Sequence, residues 1–161
     1  IKSLLNSYRP PIIIFITYKK TADWLAQKFY KETNFQVTIL HGSKSQEQRE
    51  HSLQQLRSGK FQIMIATNVA ARGLDIPNVS LVVNFQISKT LDDYIHRIGR
   101  TGRAGNQGTA ITYMGDEENL DIVHELFKYV ETNNPTRSNN FDPSLKSKYK
   151  LGKSKLDEIL Y

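Results

Sequence analysis

The chain contains no cysteine, so disulfides and thiolate metal sites are both excluded. That usage fits a reducing, intracellular compartment. No apolar run approaches the length of a transmembrane helix, and the stretch IIIFI at residues 12–16 is only strand-sized. The opening segment IKSLLNSYRPP lacks the long apolar core of a secretory signal and has no initiator Met, so the chain reads as a fragment of a longer protein. The four histidines offer no i,i+4 pair and no acidic residues at metal-ligand spacing, which excludes a histidine metal centre. Gly152-Lys153-Ser154 ends like a phosphate-binding loop. The required glycine five residues earlier is Ser147, however, and the preceding SKYKL is polar rather than a buried strand. No loop in the sequence therefore cradles a triphosphate, and no acidic pair is placed to hold magnesium.

What remains is a basic, globular chain. Its 161 residues suffice for one domain with a real core, and 39% are hydrophobic, including seven Phe, eight Tyr and one Trp. Twenty-two Lys and Arg against sixteen Asp and Glu give a net charge of +6, which favours an acidic partner such as nucleic acid.

Apolar and amphipathic runs alternate. The pattern predicts strands at 12–17, 36–40, 62–67, 80–85 and 109–114, and helices at 21–31, 45–57, 91–98 and 117–131. Ser45 with Gln48 three residues on forms a capping-box pattern, and Gly59 closes that helix. Strands alternating with helices predict an α/β fold, a parallel sheet of five to seven strands with helices on both faces. From residue 132 the chain turns rich in Asn, Ser, Pro and Lys, so residues 1–131 are predicted as the domain and 132–161 as a polar extension with a short helix at 153–161.

Ligands of open parallel sheets bind at the carboxyl ends of the strands, which selects three segments. After the third strand stands ATNVAARGLDIP (66–77): Thr67 can donate to a phosphate, Gly73 permits close backbone approach, and Asp75 can accept from a sugar hydroxyl. An ordinary βα connection closed by an Arg72–Asp75 ion pair accounts equally for these residues. After the second strand, HGSKSQEQR (41–49) offers a helix N-terminus with Ser43, Lys44, Ser45 and Arg49, an anion site or simply a capped helix with a solvated basic face. The third segment is HRIGRTGR (96–103). It sets Arg97, Arg100 and Arg103 at intervals of three, which on a helix keeps side chains roughly on one face, and its glycines predict that the helix stops near Gly99. Arginine presents a permanently charged fork matched to phosphate oxygens, although basic residues near a helix C-terminus also complement the macrodipole.

Taken in this order, IIIFITYKK (12–20), HGSKSQEQRE (41–50), ATNVAARGLDI (66–76) and HRIGRTGR (96–103) resemble motifs of the C-terminal RecA-like domain of DEAD-box RNA helicases of superfamily 2, over residues 1–131. The resemblance implies that Arg100 and Arg103 are arginine fingers reaching the γ-phosphate of ATP, catalytic and nucleotide-binding at once, with Gly73 and Asp75 on the nucleotide side. It implies that Gly42, Arg49 and Thr67 grip the RNA backbone, and that Gln46, Arg72, His96 and Arg97 link the nucleotide side to the RNA side. ATP with Mg2+ would be bound mainly by an N-terminal RecA-like domain of the same protein. Two departures stand out: Asn68 replaces the commoner Asp, and NFQISKT (84–90) lacks the Pro often found there.

The segments at 41–53, 78–97 and 152–161 further resemble the fungal DEAD-box helicases of pre-mRNA splicing, which exchange small nuclear RNAs at the 5′ splice site. That likeness implies a nuclear protein with RNA and spliceosomal proteins as partners, and no membrane. A stand-alone RNA-binding module, a docking domain with degenerate arginines, a DNA helicase of the same superfamily, and a DEAD-box helicase of another pathway such as ribosome biogenesis remain the alternatives.

Overall fold

The computed structural model describes residues 2–68, 76, 78–102, 108–115 and 119–133. The chain divides into two compact units, Ile1–Ser88 with Asp92–Gly115, and Lys89–Leu91 with Asp116–Tyr161. Ten elements are described: α1 (Lys2–Leu5), β1 (Ile12–Phe15), α2 (Lys19–Glu32), β2 (Val37–Leu40), α3 (Gln46–Arg57), β3 (Ile63–Ala66), β4 (Leu81–Asn84), α4 (Leu91–Ile98), β5 (Thr109–Thr112) and α5 (Leu120–Asn133).

The five strands form one wholly parallel sheet in the order β2-β3-β1-β4-β5. The three central strands are buried along their full length, which is why IIIF, IMIA and LVVN read as continuous apolar runs rather than alternating ones. Successive side chains still point to opposite faces. Ile13, Phe15, Met64, Ala66 and Val82 pack with Leu53 and Leu56 of α3 on one face. Ile12, Ile14, Ile63, Ile65, Leu81 and Val83 pack with Leu5 of α1 and Ala22, Leu25 and Phe29 of α2 on the other. The predicted helices on both faces are therefore present, and the edge strands β2 and β5 are only partly buried.

Each observed strand is one or two residues shorter than its predicted range, because backbone pairing stops before the apolar run does. The reverse holds for α2, which begins two residues early. The capping box of α3 is present as predicted, with Ser45 Oγ accepting from the Gln48 amide (3.1 Å) and Gln48 Oε1 from the Ser45 amide (2.9 Å). In the second unit, α5 begins at Leu120, where Asn119 Oδ1 accepts from the amides of Asp121 (2.9 Å) and Ile122 (3.4 Å) and so caps the helix. Ile122, Val123, Leu126 and Phe127 form its buried stripe. The helix α1 was not signalled by any periodicity in IKSLL. The predicted features at 134–161 lie outside the described residues.

The register aligns the strand ends. Phe15 pairs with both Ala66 and Asn84, Leu40 with Ala66, and Asn84 with Thr112. The last residues of all five strands thus lie in one row, and every following loop starts from the same line. β1 and β4 are neighbours whose onward connections leave in opposite directions, toward β2 at one edge and β5 at the other. That is the topological switch point, where ligand sites of open α/β sheets form.

Candidate functional site at the carboxyl edge of the sheet

The centre of this edge is Arg97. It lies on α4, is 1% exposed, and its guanidinium carbon sits 5.3 Å from the centroid of the Phe15 ring. Its Nε donates to Asn68 Oδ1 (2.5 Å), and its Nη1 donates to the Gln86 carbonyl (2.6 Å) and to Asn84 Oδ1 (3.4 Å). Asn84 is fully buried at the end of β4, and its Nδ2 donates to Thr112 Oγ1 on β5 (3.1 Å). One guanidinium therefore ties together the ends of β3, β4 and, through Asn84, β5. Burial lowers its pKa to about 10, with the Asp93 carboxylate pulling the other way, so it stays charged near neutrality. Among the described residues, every acceptor it uses is uncharged. Nη2 is buried and finds no acceptor among the described residues.

The amide of Asn68, where a carboxylate is commoner, thus serves as an acceptor for Arg97 rather than as an anion. Sequence reasoning assigned Asn68 no charge-dependent role, and its observed contact needs none.

A spacing of three keeps side chains on one face only while the helix lasts, and the glycines predict a stop near Gly99 with Arg100 on a tight turn beyond it. The helix does stop at Ile98, and the chain continues in a tight turn. The amides of Arg100 and Thr101 donate to the carbonyls of Arg97 (3.2 Å) and Ile98 (3.1 Å). Arg97 is consequently sealed inside while Arg100 is partly exposed beyond the helix end. Arg100 Nε donates to the His96 carbonyl (3.3 Å), so the side chain also satisfies a terminal carbonyl of α4. His96 points outward, with Nε2 3.4 Å from Asp92 Oδ2 one turn back. The turn is fixed from below: the Thr101 hydroxyl donates to the Val79 carbonyl, and Gly102 adopts a left-handed φ of 67°.

Gly108 completes this turn, a role that no sequence signal revealed. A Cβ there would lie 2.3 Å from the Gly102 nitrogen and 2.5 Å from Thr101 Oγ1. The Gly108→Ala variant is therefore expected to lose about 1–3 kcal/mol of stability through overpacking. Urea unfolding checks this, and an unchanged midpoint and slope would contradict the close approach.

On the other side of the edge, Gly42 is exposed in the loop after β2, and Thr67, whose amide donates to the Leu40 carbonyl (3.1 Å), is half-buried after β3. Gln46 and Arg49 lie in the first turn of α3, where Gln46 Nε2 donates to Glu50 Oε1 (3.2 Å) and Arg49 is half-buried. His41, which carried no predicted role, is buried and organises this loop. Its Nδ1 accepts from the Ser43 amide (3.2 Å) and its carbonyl from the Lys44 amide (3.0 Å). Burial first, and then Lys44, depress its pKa, with Lys19 acting in the same direction and Asp23 opposing, so the ring is held neutral. Lys19 Nζ donates to Ser43 Oγ (2.7 Å) and bridges α2 to the same loop.

Arg72, Gly73, Asp75 and Arg103 lie outside the described residues. Among the rest, the structure brings Thr67, Arg97 and Arg100 to one edge of the sheet, with Gly42, Gln46 and Arg49 in the loop and helix that follow β2. The acceptors Asn84, Gln86 and Thr112 were missed. The signal for the first was a lone Asn in the apolar run SLVVNF. Arginines and helix N-termini at a strand edge suit phosphate oxygens. No group of His, Asp and Glu among the described residues is placed to hold a metal ion, and no described helix is long and apolar enough to cross a membrane.

Comparison with known proteins adds three findings. The profile of the helicase conserved C-terminal domain matches residues 1–105. The chain is 66% identical over all 161 residues to the pre-mRNA-splicing ATP-dependent RNA helicase PRP28 of Saccharomyces cerevisiae, and 54% identical over 160 residues to that of Kluyveromyces lactis. It spans 27% and 30% of those proteins, respectively. Among solved structures, the yeast DEAD-box splicing factor Prp28 matches 99% of this chain with a TM-score of 0.90 at 66% identity, the chain covering 35% of that structure. Prp28 of Chaetomium thermophilum bound to ADP matches 82% of the chain with a TM-score of 0.75 at 46% identity, over 33% of its own length. Saccharomyces cerevisiae Dbp5 bound to RNA and ADP BeF3 matches 79% at a TM-score of 0.68 and 39% identity, over 33% of its own length.

Proposed function

As the chain belongs to the helicase conserved C-terminal domain family, we propose that it is the second RecA-like lobe of an ATP-dependent DEAD-box RNA helicase acting in nuclear pre-mRNA splicing. The observation that carries this reading is the arginine turn: Arg100 stands partly exposed at the carboxyl edge of a parallel sheet, next to the buried Arg97 that holds Asn68. The relatives' names support the activity and the pathway. Residues 1–131 form the lobe in this reading, and 132–161 a polar extension.

In the proposed mechanism, ATP and single-stranded RNA close an N-terminal RecA-like domain of the same protein onto this lobe. That domain holds the triphosphate and Mg2+. Arg100 and Arg103 deliver positive charge to the γ-phosphate as charge shifts onto the leaving oxygens, and Gly73 and Asp75 meet the nucleotide. Gly42, Arg49 and Thr67 hold RNA phosphates, so binding is tolerant of sequence and falls with salt. Arg97, with Gln46, Arg72 and His96, fixes the geometry between these two sets. Closure bends and destabilises a short duplex, and hydrolysis reopens the cleft. Spliceosomal proteins are the proposed partners.

The test is ATP turnover with and without single-stranded RNA. The protein carrying both lobes is expected to show RNA-stimulated hydrolysis, and this 161-residue chain alone is expected to show none. Measurable RNA-stimulated turnover by the chain alone would sink the assignment.

A further inference from the structure

Gln86 lies outside the four helicase motifs, within the 78–97 segment shared with the splicing helicases, and both halves of the carboxyl edge meet on it. Its Oε1 accepts from the backbone amides of Thr17 (2.8 Å) and Tyr18 (3.2 Å). Tyr18 is the N-cap residue of α2, and its own side chain makes no capping bond. Gln86 therefore fixes the entry to that helix from across the sheet, holding the N-cap amide and the one before it. The two converging N–H groups require an oxygen at this position, so the amide orientation follows from its surroundings.

The backbone of the same residue faces the other way. The Gln86 carbonyl accepts the 2.6 Å bond from Arg97 Nη1, and the next carbonyl, of Ile87, accepts from the Thr17 hydroxyl (3.1 Å). On the α2 side, the chain runs directly from Tyr18 to Lys19, whose ammonium grips Ser43 beside Gly42. On the α4 side, Arg97 stands three residues before Arg100 and also holds Asn68 beside Thr67. The clasp lies between β1 and β4, at the switch point of the sheet.

We propose that Gln86 is a positioning residue that fixes the phosphate-gripping loops of this lobe in register with its arginine turn, acting through its side-chain oxygen alone. This rests on the function proposed above. Without the acceptor, the amides of Thr17 and Tyr18 at the entry to α2 are orphaned, the 85–87 loop relaxes, and Arg97 loses the fixed position of its backbone-carbonyl acceptor. Because only an acceptor is needed, a carboxylate serves as well as an amide, and it also suits the positive end of a helix. Gln86→Met keeps the length and removes the acceptor.

The experiment uses the intact two-lobed protein and measures ATP turnover against the concentration of a single-stranded oligouridylate, with amide hydrogen exchange read at Thr17 and Tyr18. Gln86→Met is expected to raise the half-saturating RNA concentration about tenfold and to speed exchange at both amides, the size expected for losing a half-buried acceptor of two hydrogen bonds. Gln86→Glu is expected to stay within about threefold of wild type with both amides protected. The proposal is overturned if Gln86→Met keeps the wild-type RNA dependence, or if Gln86→Glu is as defective as Gln86→Met. Should Gln86→Met fail to fold, the Gln86→Glu result still decides, since a carboxylate that holds the amides but fails in RNA dependence contradicts it. Failure of the underlying function is separately visible, because wild type itself would then show no RNA-stimulated turnover.

Discussion

Arg100→Ala in the intact protein is expected to lower ATP turnover by roughly 10³- to 10⁵-fold, the range measured for arginine fingers. The structure makes this a clean test, because the Arg100 side chain is partly exposed and bonds a helix-terminal carbonyl that water can satisfy. Its loss is therefore expected to cost no more than about 0.5 kcal/mol of stability, as for most surface substitutions. Single-turnover hydrolysis alongside thermal melting separates the two effects. A large fall in turnover with an unchanged melt identifies a group that acts on the reacting phosphate. Unchanged turnover would instead favour a docking domain, in which the arginine serves only the end of α4.

Arg97→Ala is expected to do the reverse, acting first on the fold. The substitution leaves Asn68 Oδ1, Asn84 Oδ1 and the Gln86 carbonyl facing a cavity above Phe15. Orphaned buried acceptors cost about 1–3 kcal/mol each before relaxation, so a total loss of about 3–5 kcal/mol is expected. Arg97→Lys is expected to recover less than half of it, since an ammonium is a point charge and cannot reproduce a fork spanning three acceptors. Equilibrium urea unfolding measures both. A loss below about 1 kcal/mol for Arg97→Ala would mean that the three acceptors find other donors and that the guanidinium is not the tie between strand ends.

How far the sequence foretold this arrangement depends on the range of the forces involved. The central strands were legible because burial on both faces demands uninterrupted apolar runs, and IIIF, IMIA and LVVN supply them. The α3 start was legible because Ser45 and Gln48 cap within a single turn. The end of α4 was legible from Gly99 and Gly102. By contrast, Gln86 holds the amides of Thr17 and Tyr18 at the entry to α2, 69 and 68 positions away. Gly108 is required by the backbone of Gly102, and Asn84 by a guanidinium thirteen positions on. Such needs are created by the folded sheet and have no local pattern. The inward turn of Arg97 is of the same kind. Spacing alone grouped it with Arg100, and only the stop of the helix at Ile98 separates a sealed arginine from a presented one.

The row of strand ends also has a mechanical consequence. The loops after β1, β2, β3 and β4 all leave one line, so in the proposed function a pull along the strands on RNA held there loads the parallel strands along their axes. In that direction the inter-strand hydrogen bonds of the ladder share the load simultaneously instead of opening one after another. A sheet built this way is stiff along its strands and soft across them.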